Sequence, residues 1–241
     1  MLALHDYPCF YFNGALKLNE FLPLSETEAH HAQHVLRLEV GQEIYVSNGV
    51  GILALSTIQE LSKKQVLFRV VEVTIHEPEC PFTIELAIPP LKNKDRLNWL
   101  IEKAVEVGCR KLHLVKTARS VSHKFNLEKF EKTAISALKQ SRKAWFTELI
   151  YHDSVEDFIK ATASVSLKLV ASYVDEYPPH LKSFVQNRPT ILAIGPEGDF
   201  TSDELSLFKK GEFEQCSLGK ERLRAETAAI YGLICFHSII A

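Results

Sequence analysis

Cysteine is scarce in this chain of 241 residues, and the five present (Cys9, Cys80, Cys109, Cys216, Cys235) are scattered and never form a Cys-x-x-Cys pair. Their number and spacing argue against a disulfide framework and a zinc knuckle, so no metal site is expected. A reducing cytoplasm suits them. Long apolar runs are missing as well: the longest, near Ile230 to Ile240, is too short and interrupted to span a bilayer. The opening "MLALHDYPCFYF" lacks the basic start and small-residue cleavage site of an export signal, so no membrane partner is expected. Low-complexity tracts, repeats and Pro/Ser-rich linkers are absent, which makes a packed globular chain the starting assumption. Neither G-x-x-x-x-G-K-[ST] nor G-x-G-x-x-G occurs, which disfavours ATP and dinucleotides.

Net charge is also low, at −2, but it is unevenly spread. From Lys92 to Lys143 there are 14 Lys/Arg against 5 Asp/Glu, a local balance of +9 that leaves −11 for the rest of the chain. Such a block resembles an electrostatic footprint for a polyanion; the plainer alternative is a set of solvated lysine-rich helix faces.

Residues 1–75 read as short strands broken by turns, with Asn48-Gly49 as a hairpin dipeptide. One helix interrupts them. It starts at the capping-box spacing Ser25-x-x-Glu28, and Ala29, Ala32, Val35 and Leu36 suit one buried face. A small β-barrel is the natural architecture, and "HEPECPF" (76–82) is the linker candidate. From residue 76 to 241 strands and helices alternate, which predicts a mostly parallel sheet covered by helices, so the fold class is α/β. "NKDRLNWLIEKAVEVG" is a helix with Leu97, Leu100, Ile101, Ala104 and Val105 on one face and Gly108 as its stop. Trp99, in that helix, is expected in the core.

Ligands of open α/β sheets sit beyond the carboxyl ends of strands, which makes "ILAIGPEGDFTSDEL" (Ile191 to Leu205) a ligand loop by position. Glu197 and Asp199 would repel a phosphate there. Gly195 and Gly198 leave backbone uncovered for a neutral or cationic ligand, a description S-adenosylmethionine fits with its positive sulfonium. A tight turn whose acids cap the next helix is the alternative. "SLGKERLRAETAAIYGL" (Ser217 to Leu233) also leaves a strand through a glycine and groups Arg222 and Arg224 with Glu221 and Glu226. Two such loops could wall one pocket.

Together, "IGPEGDFTSDE" and "LGKERLRAETAAIYGL" resemble the two signature loops of SPOUT methyltransferases, specifically the RsmE family, which methylates N3 of a uridine in 16S ribosomal RNA of the small subunit. "HHAQHVLRLEVGQEIYVSNGVG" resembles that family's PUA-like RNA-binding β-barrel, and "PPLKNKDRLNWLIEKAVEVGCRKLHLVKTARSV" the block that opens its methyltransferase domain. The resemblance implies a C-terminal trefoil knot, a homodimer, S-adenosylmethionine as cofactor and the small ribosomal subunit as partner. It places Ile194, Gly195, Pro196, Glu197 and Gly198 in one cofactor loop and Leu218, Gly219, Leu223 and Arg224 in the other. Leu169, Ala171 and Ser172 form a third contact, matched by position. Asp199 departs from the family's usual glycine, which puts the local loop geometry in question.

Methyl transfer to a uridine nitrogen needs alignment, exclusion of water, loss of the N3 proton and stabilisation of a developing anion. The resemblance makes Arg224, placed beside the cofactor by its signature loop, and then Arg142 the candidate cations, and Glu197 and Glu226 are the candidate proton acceptors. Another SPOUT activity, on ribose 2′-O or guanine N1, and a non-catalytic ribosome-assembly factor are the rival readings. His30 and His34 are expected on a surface helix, two histidines being too few for a metal site. Ser141 lacks partners for nucleophilic catalysis.

Overall fold

The computed structural model describes residues 6–62, 65–78, 80, 82–120, 126–172 and 178–240. The chain forms two compact units: Met1–Pro78 with Ile135–Phe146, and Glu79–Ala134 with Thr147–Ala241. The composition change near the two prolines thus coincides with one boundary, while the segment 135–146 joins the first unit through contacts that no local pattern announces.

In the first unit, β1 (Cys9–Tyr11), β2 (Phe21–Pro23), β3 (Glu43–Ser47), β4 (Ile52–Leu61) and β5 (Val66–Ile75) form one sheet in the order β1-β3-β4-β5-β2. Alternate residues of these strands, including Ile44, Val46, Phe68 and Val70, are fully buried in its core. Asn48 shapes the β3–β4 turn: its Oδ1 accepts from the Val50 and Ile52 amides at 3.0 Å each, and Gly49 takes φ 70°.

Helix α1 (Glu26–His30) opens as the spacing predicts, with Ser25 Oγ accepting from the Glu28 amide at 3.3 Å. Only half of the box forms, because the Glu28 carboxylate pairs with Lys139 at 2.8 Å. A π-helical turn, His31–Val35, follows directly. Its wider winding rotates the later residues off the buried face. Ala29 and Ala32 are buried as expected, whereas Val35 is 60% exposed and Leu36 39%.

In the second unit, β6 (Ile84–Ile88), β7 (Lys111–Val115), β8 (Glu148–His152), β9 (Leu167–Ala171), β10 (Thr190–Ile194) and β11 (Glu214–Cys216) form a parallel sheet in the order β11-β9-β10-β6-β7-β8. All five residues of β6 and of β10 are buried, which is why these segments read as unbroken apolar runs. Helix α2 (Lys94–Glu106) buries the five residues its periodicity marks, and Gly108 stops it at φ 86°. Trp99 falls off that face and is 42% exposed, so it is not a core residue. Asn126 caps α3 (Leu127–Gln140) and Ser154 caps α4 (Val155–Ala161).

Helix α5 (Ser202–Lys210) carries a complete capping box between Thr201 and Glu204. Helix α6 (Ala225–Ile240) packs on the sheet through Gly232, where a Cβ would collide with the Leu192 side chain of β10. Phe200 and Phe208 meet edge to face at 4.8 Å beneath the β10–α5 connection, which anchors the far end of that loop in the core.

Candidate active site

Chain reversal after β10 begins the site. The Asp199 amide donates to the Pro196 carbonyl at 2.8 Å, closing a turn, and Asp199 sits in the left-handed region at φ 61°. Glycine reaches this conformation freely; aspartate is one of the few other residues that tolerate it. The departure from glycine at 199 therefore keeps the backbone shape and adds a carboxylate. Asp199 Oδ1 accepts from the Phe200 amide at 2.7 Å and lies 2.6 Å from where a Cβ on residue 195 would stand. Gly195 is required by that packing rather than by its φ.

The second loop leaves β11 through Ser217, whose Oγ accepts from the Gly219 amide at 3.1 Å. Gly219 has φ 121° and open space beside its Cα, so its backbone is bare toward the cleft. Arg222, Leu223 and Arg224 are exposed along the rim. The third wall is the end of β9. There Ser172 Oγ is buried and has no hydrogen-bond partner among the described residues.

These three segments enclose a cleft of about 680 Å³. Of the residues expected at the site, Ala171, Ser172, Ile194, Gly195, Pro196, Glu197, Gly198, Leu218, Gly219, Leu223 and Arg224 line it. Leu169 does not, since it is fully buried one pleat deeper in β9. Glu226 is absent from the lining too; it is buried in the first turn of α6 and pairs with Arg96 of α2 at 3.6 Å. Arg142 belongs to the first unit, where it binds Asp6 at 2.8 Å and lies 5.5 Å from the centre of the Tyr45 ring.

Asp199, Glu221 and Arg222, which the sequence had grouped in the two loops, complete the walls together with Pro178, Cys216, Ser217, Ala225 and Ala228. Burial pushes the Cys216 thiol up to about 12, so this side chain stays a neutral thiol near neutral pH.

A turn at 117–120, outside the cleft lining, braces the first loop. The Thr117 amide donates to Ser120 Oγ at 2.9 Å, and the Ala118 amide donates to Glu204 Oε1 at 2.8 Å. Arg119 Nη1 donates to the carbonyl of Gly198 and, at 3.3 Å, to that of Asp199. No local pattern could have marked Arg119, because its partners lie 79 and 80 residues away. The basic block itself is partly spent inside the protein: Arg96, Lys103, Lys111, Lys132, Lys139 and Arg142 all have carboxylate partners. Lys124 lies outside the described residues.

A buried polar chain crosses the sheet away from the cleft lining. Glu85 Oε2 and His113 Nε2 are 2.9 Å apart, and His113 Nδ1 and His152 Nε2 are also 2.9 Å apart. Burial opposes ionisation of Glu85, but the His113 hydrogen bond and the nearby Lys111 outweigh it and hold its pKa below the usual value. Burial, with His113 beside it, lowers the pKa of His152. With Glu85 ionised, His113 Nε2 donates to it.

Among the described residues no group of His, Cys, Asp and Glu could hold a metal ion, and no helix is long and apolar enough to cross a membrane. Residues 78–237 match the RNA methyltransferase domain family, and residues 24–71 match the RNA methyltransferase PUA domain family. The chain is 29% identical over 232 residues to the ribosomal RNA small subunit methyltransferase E of Rickettsia conorii, covering 93% of this chain and 92% of that protein. It is 27% identical to the Bacillus subtilis protein of the same name, covering 86% and 85%. Among solved structures, a probable rRNA-methyltransferase from Porphyromonas gingivalis superposes with a TM-score of 0.86 at 29% identity, covering 97% of this chain and 98% of that one. A Legionella pneumophila chain solved in complex with the bound cofactor SAM gives a TM-score of 0.87 at 27% identity, covering 98% of each.

Proposed function

The chain belongs to the RNA methyltransferase family, and from that premise we propose that it methylates small-subunit ribosomal RNA at N3 of a uridine, using S-adenosylmethionine. The observation that carries this reading is the meeting of three strand ends around one cleft, with Gly219 presenting bare backbone and Ser172 an unpartnered hydroxyl to it. These residues fit the cofactor. Ser172 Oγ needs a polar partner. Backbone groups beside Gly219 are open to a nucleoside, and Glu197 favours a cationic ligand over a phosphate. The related Rickettsia and Bacillus proteins and the SAM complex support the same assignment.

When bound, the cofactor supplies an electrophilic methyl group on a cationic sulfur. The chain's own residues have to place the base, take its proton and stabilise its charge. Arg224, exposed on the cleft wall, is the cation for a uracil oxygen. Glu197, also exposed on that wall, is the better proton acceptor, because Glu226 is held by Arg96 and does not line the cleft. Arg142 is occupied by Asp6 and the Tyr45 ring, which favours Arg224 over it.

A homodimer completes the proposal. Trp99 on α2, Leu223 in the loop before α6 and Ile234 on α6 are exposed apolar side chains, and α2 packs against α6. Such side chains suit the face between two copies.

Calorimetric titration with S-adenosylmethionine tests the cofactor, and absence of binding would refute the reading. Incubation with undermethylated small subunits, followed by nucleoside analysis, tests the product. Appearance of 3-methyluridine is expected; a methylated ribose or guanine would replace the N3 assignment.

A further inference from the structure

We infer that Arg119 is a positioning residue for the cofactor: it holds the 195–199 loop in its binding shape without itself lining the cleft. The inference rests on the cleft being the S-adenosylmethionine site.

Two hydrogen bonds help to set the backbone shape of the cleft-lining loop residues Gly195 to Asp199. One is the turn bond from Asp199 to Pro196, and another is the Asp199 carboxylate on the Phe200 amide. Two further loop carbonyls, of Gly198 and Asp199, accept from Arg119. Gly198 is exposed and Asp199 holds a left-handed backbone that costs a non-glycine residue free energy. A cationic donor shared between two successive carbonyls pins that peptide more firmly than a neutral hydrogen bond would.

The guanidinium does not arrive on a loose side chain. Its turn is fastened at Ala118 to Glu204, and the same carboxylate closes the cap of α5 through Thr201. Arg119 Cδ would stand 3.3 Å from a Cβ on residue 198, so the stem packs along the loop as the head bonds to it. Both ends of the contact are therefore referenced to the N-terminus of α5. Arg119 is exposed and does not line the cleft, so its effect on cofactor binding runs through the loop.

The test compares the wild-type chain with Arg119→Ala and Arg119→Lys. Titration with S-adenosylmethionine is expected to give about tenfold weaker binding for the alanine variant, the usual consequence of losing one charged hydrogen bond. The lysine variant, which keeps a donor on a stem of similar length, should recover most of that loss. Thermal midpoints of the three proteins should coincide, since an exposed side chain adds little to global stability. With RNA as the varied substrate, KM should be unchanged, while KM for the cofactor rises. Equal cofactor affinity for wild type and Arg119→Ala overturns the inference, as does a rise in KM for RNA alone or a midpoint that falls in step with affinity. Failure of the wild-type protein to bind the cofactor would instead refute the cofactor reading.

Discussion

Asp199 folds its carboxylate back over Gly195, placing Oδ1 2.6 Å from the point where a Cβ would emerge from residue 195. The same oxygen accepts from the Phe200 amide at 2.7 Å, so the contact is tied to the loop's hydrogen bonding and cannot simply swing away. Gly195→Ala should therefore destabilise the loop by about 1 to 3 kcal/mol, the scale of overpacking, with weaker cofactor binding as the readout. In an Asp199→Gly background the same alanine should be better tolerated, because the nearest obstruction is gone. Additive effects in the double variant would show that the two positions are uncoupled.

Arg224 and Glu197 are expected to act on the chemistry. Each of Arg224→Ala and Glu197→Gln should lower the single-turnover rate on the order of a hundredfold at saturating cofactor. Glu226→Gln should act differently, loosening the contact between α2 and α6 that Arg96 makes with it at 3.6 Å. A rate loss for Glu226→Gln as large as for Glu197→Gln, at unchanged thermal stability, would reassign the proton acceptor.

The Glu85–His113–His152 chain makes stability depend on pH. For both Glu85 and His152 the folded pKa lies below the unfolded one, so the unfolded chain binds more protons as pH falls. Their contribution is complete above the ordinary histidine value of about 6.5 and is lost on acidification, His152 first and Glu85 in the carboxylate range. Denaturant unfolding between neutral and acid pH should show this fall. His152→Gln should flatten its upper part and Glu85→Gln its lower part; a profile unchanged in both variants would exclude this source.

Exposed Trp99 and Ile234 give the proposed dimer a direct test. Trp99→Glu or Ile234→Glu should yield a monomer in light scattering with the secondary structure retained. A monomeric wild-type protein at micromolar concentration would refute the dimer.

Much of the architecture was legible because it follows from local rules. The run "TILAI" is apolar throughout and became β10, buried on both faces. The cap at Thr201 and Glu204 formed in full, whereas the similar spacing at Ser25 and Glu28 formed by half because Lys139 drew Glu28 away. Trp99 was misplaced for a related reason: periodicity locates the buried face of α2, and Trp99 lies off it.

Legible in the sequence by itself were a strand-rich segment over 1–75, alternating strands and helices over 76–241, and two glycine-bearing loops unsuited to phosphate. Their period, capping residues and local charge are properties of neighbours along the chain. Tertiary structure alone decided that Glu226 turns to Arg96 and that Arg119 supports Gly198 and Asp199. Those relationships join residues tens of positions apart, and their geometry comes from strand order and helix packing, which no local pattern encodes.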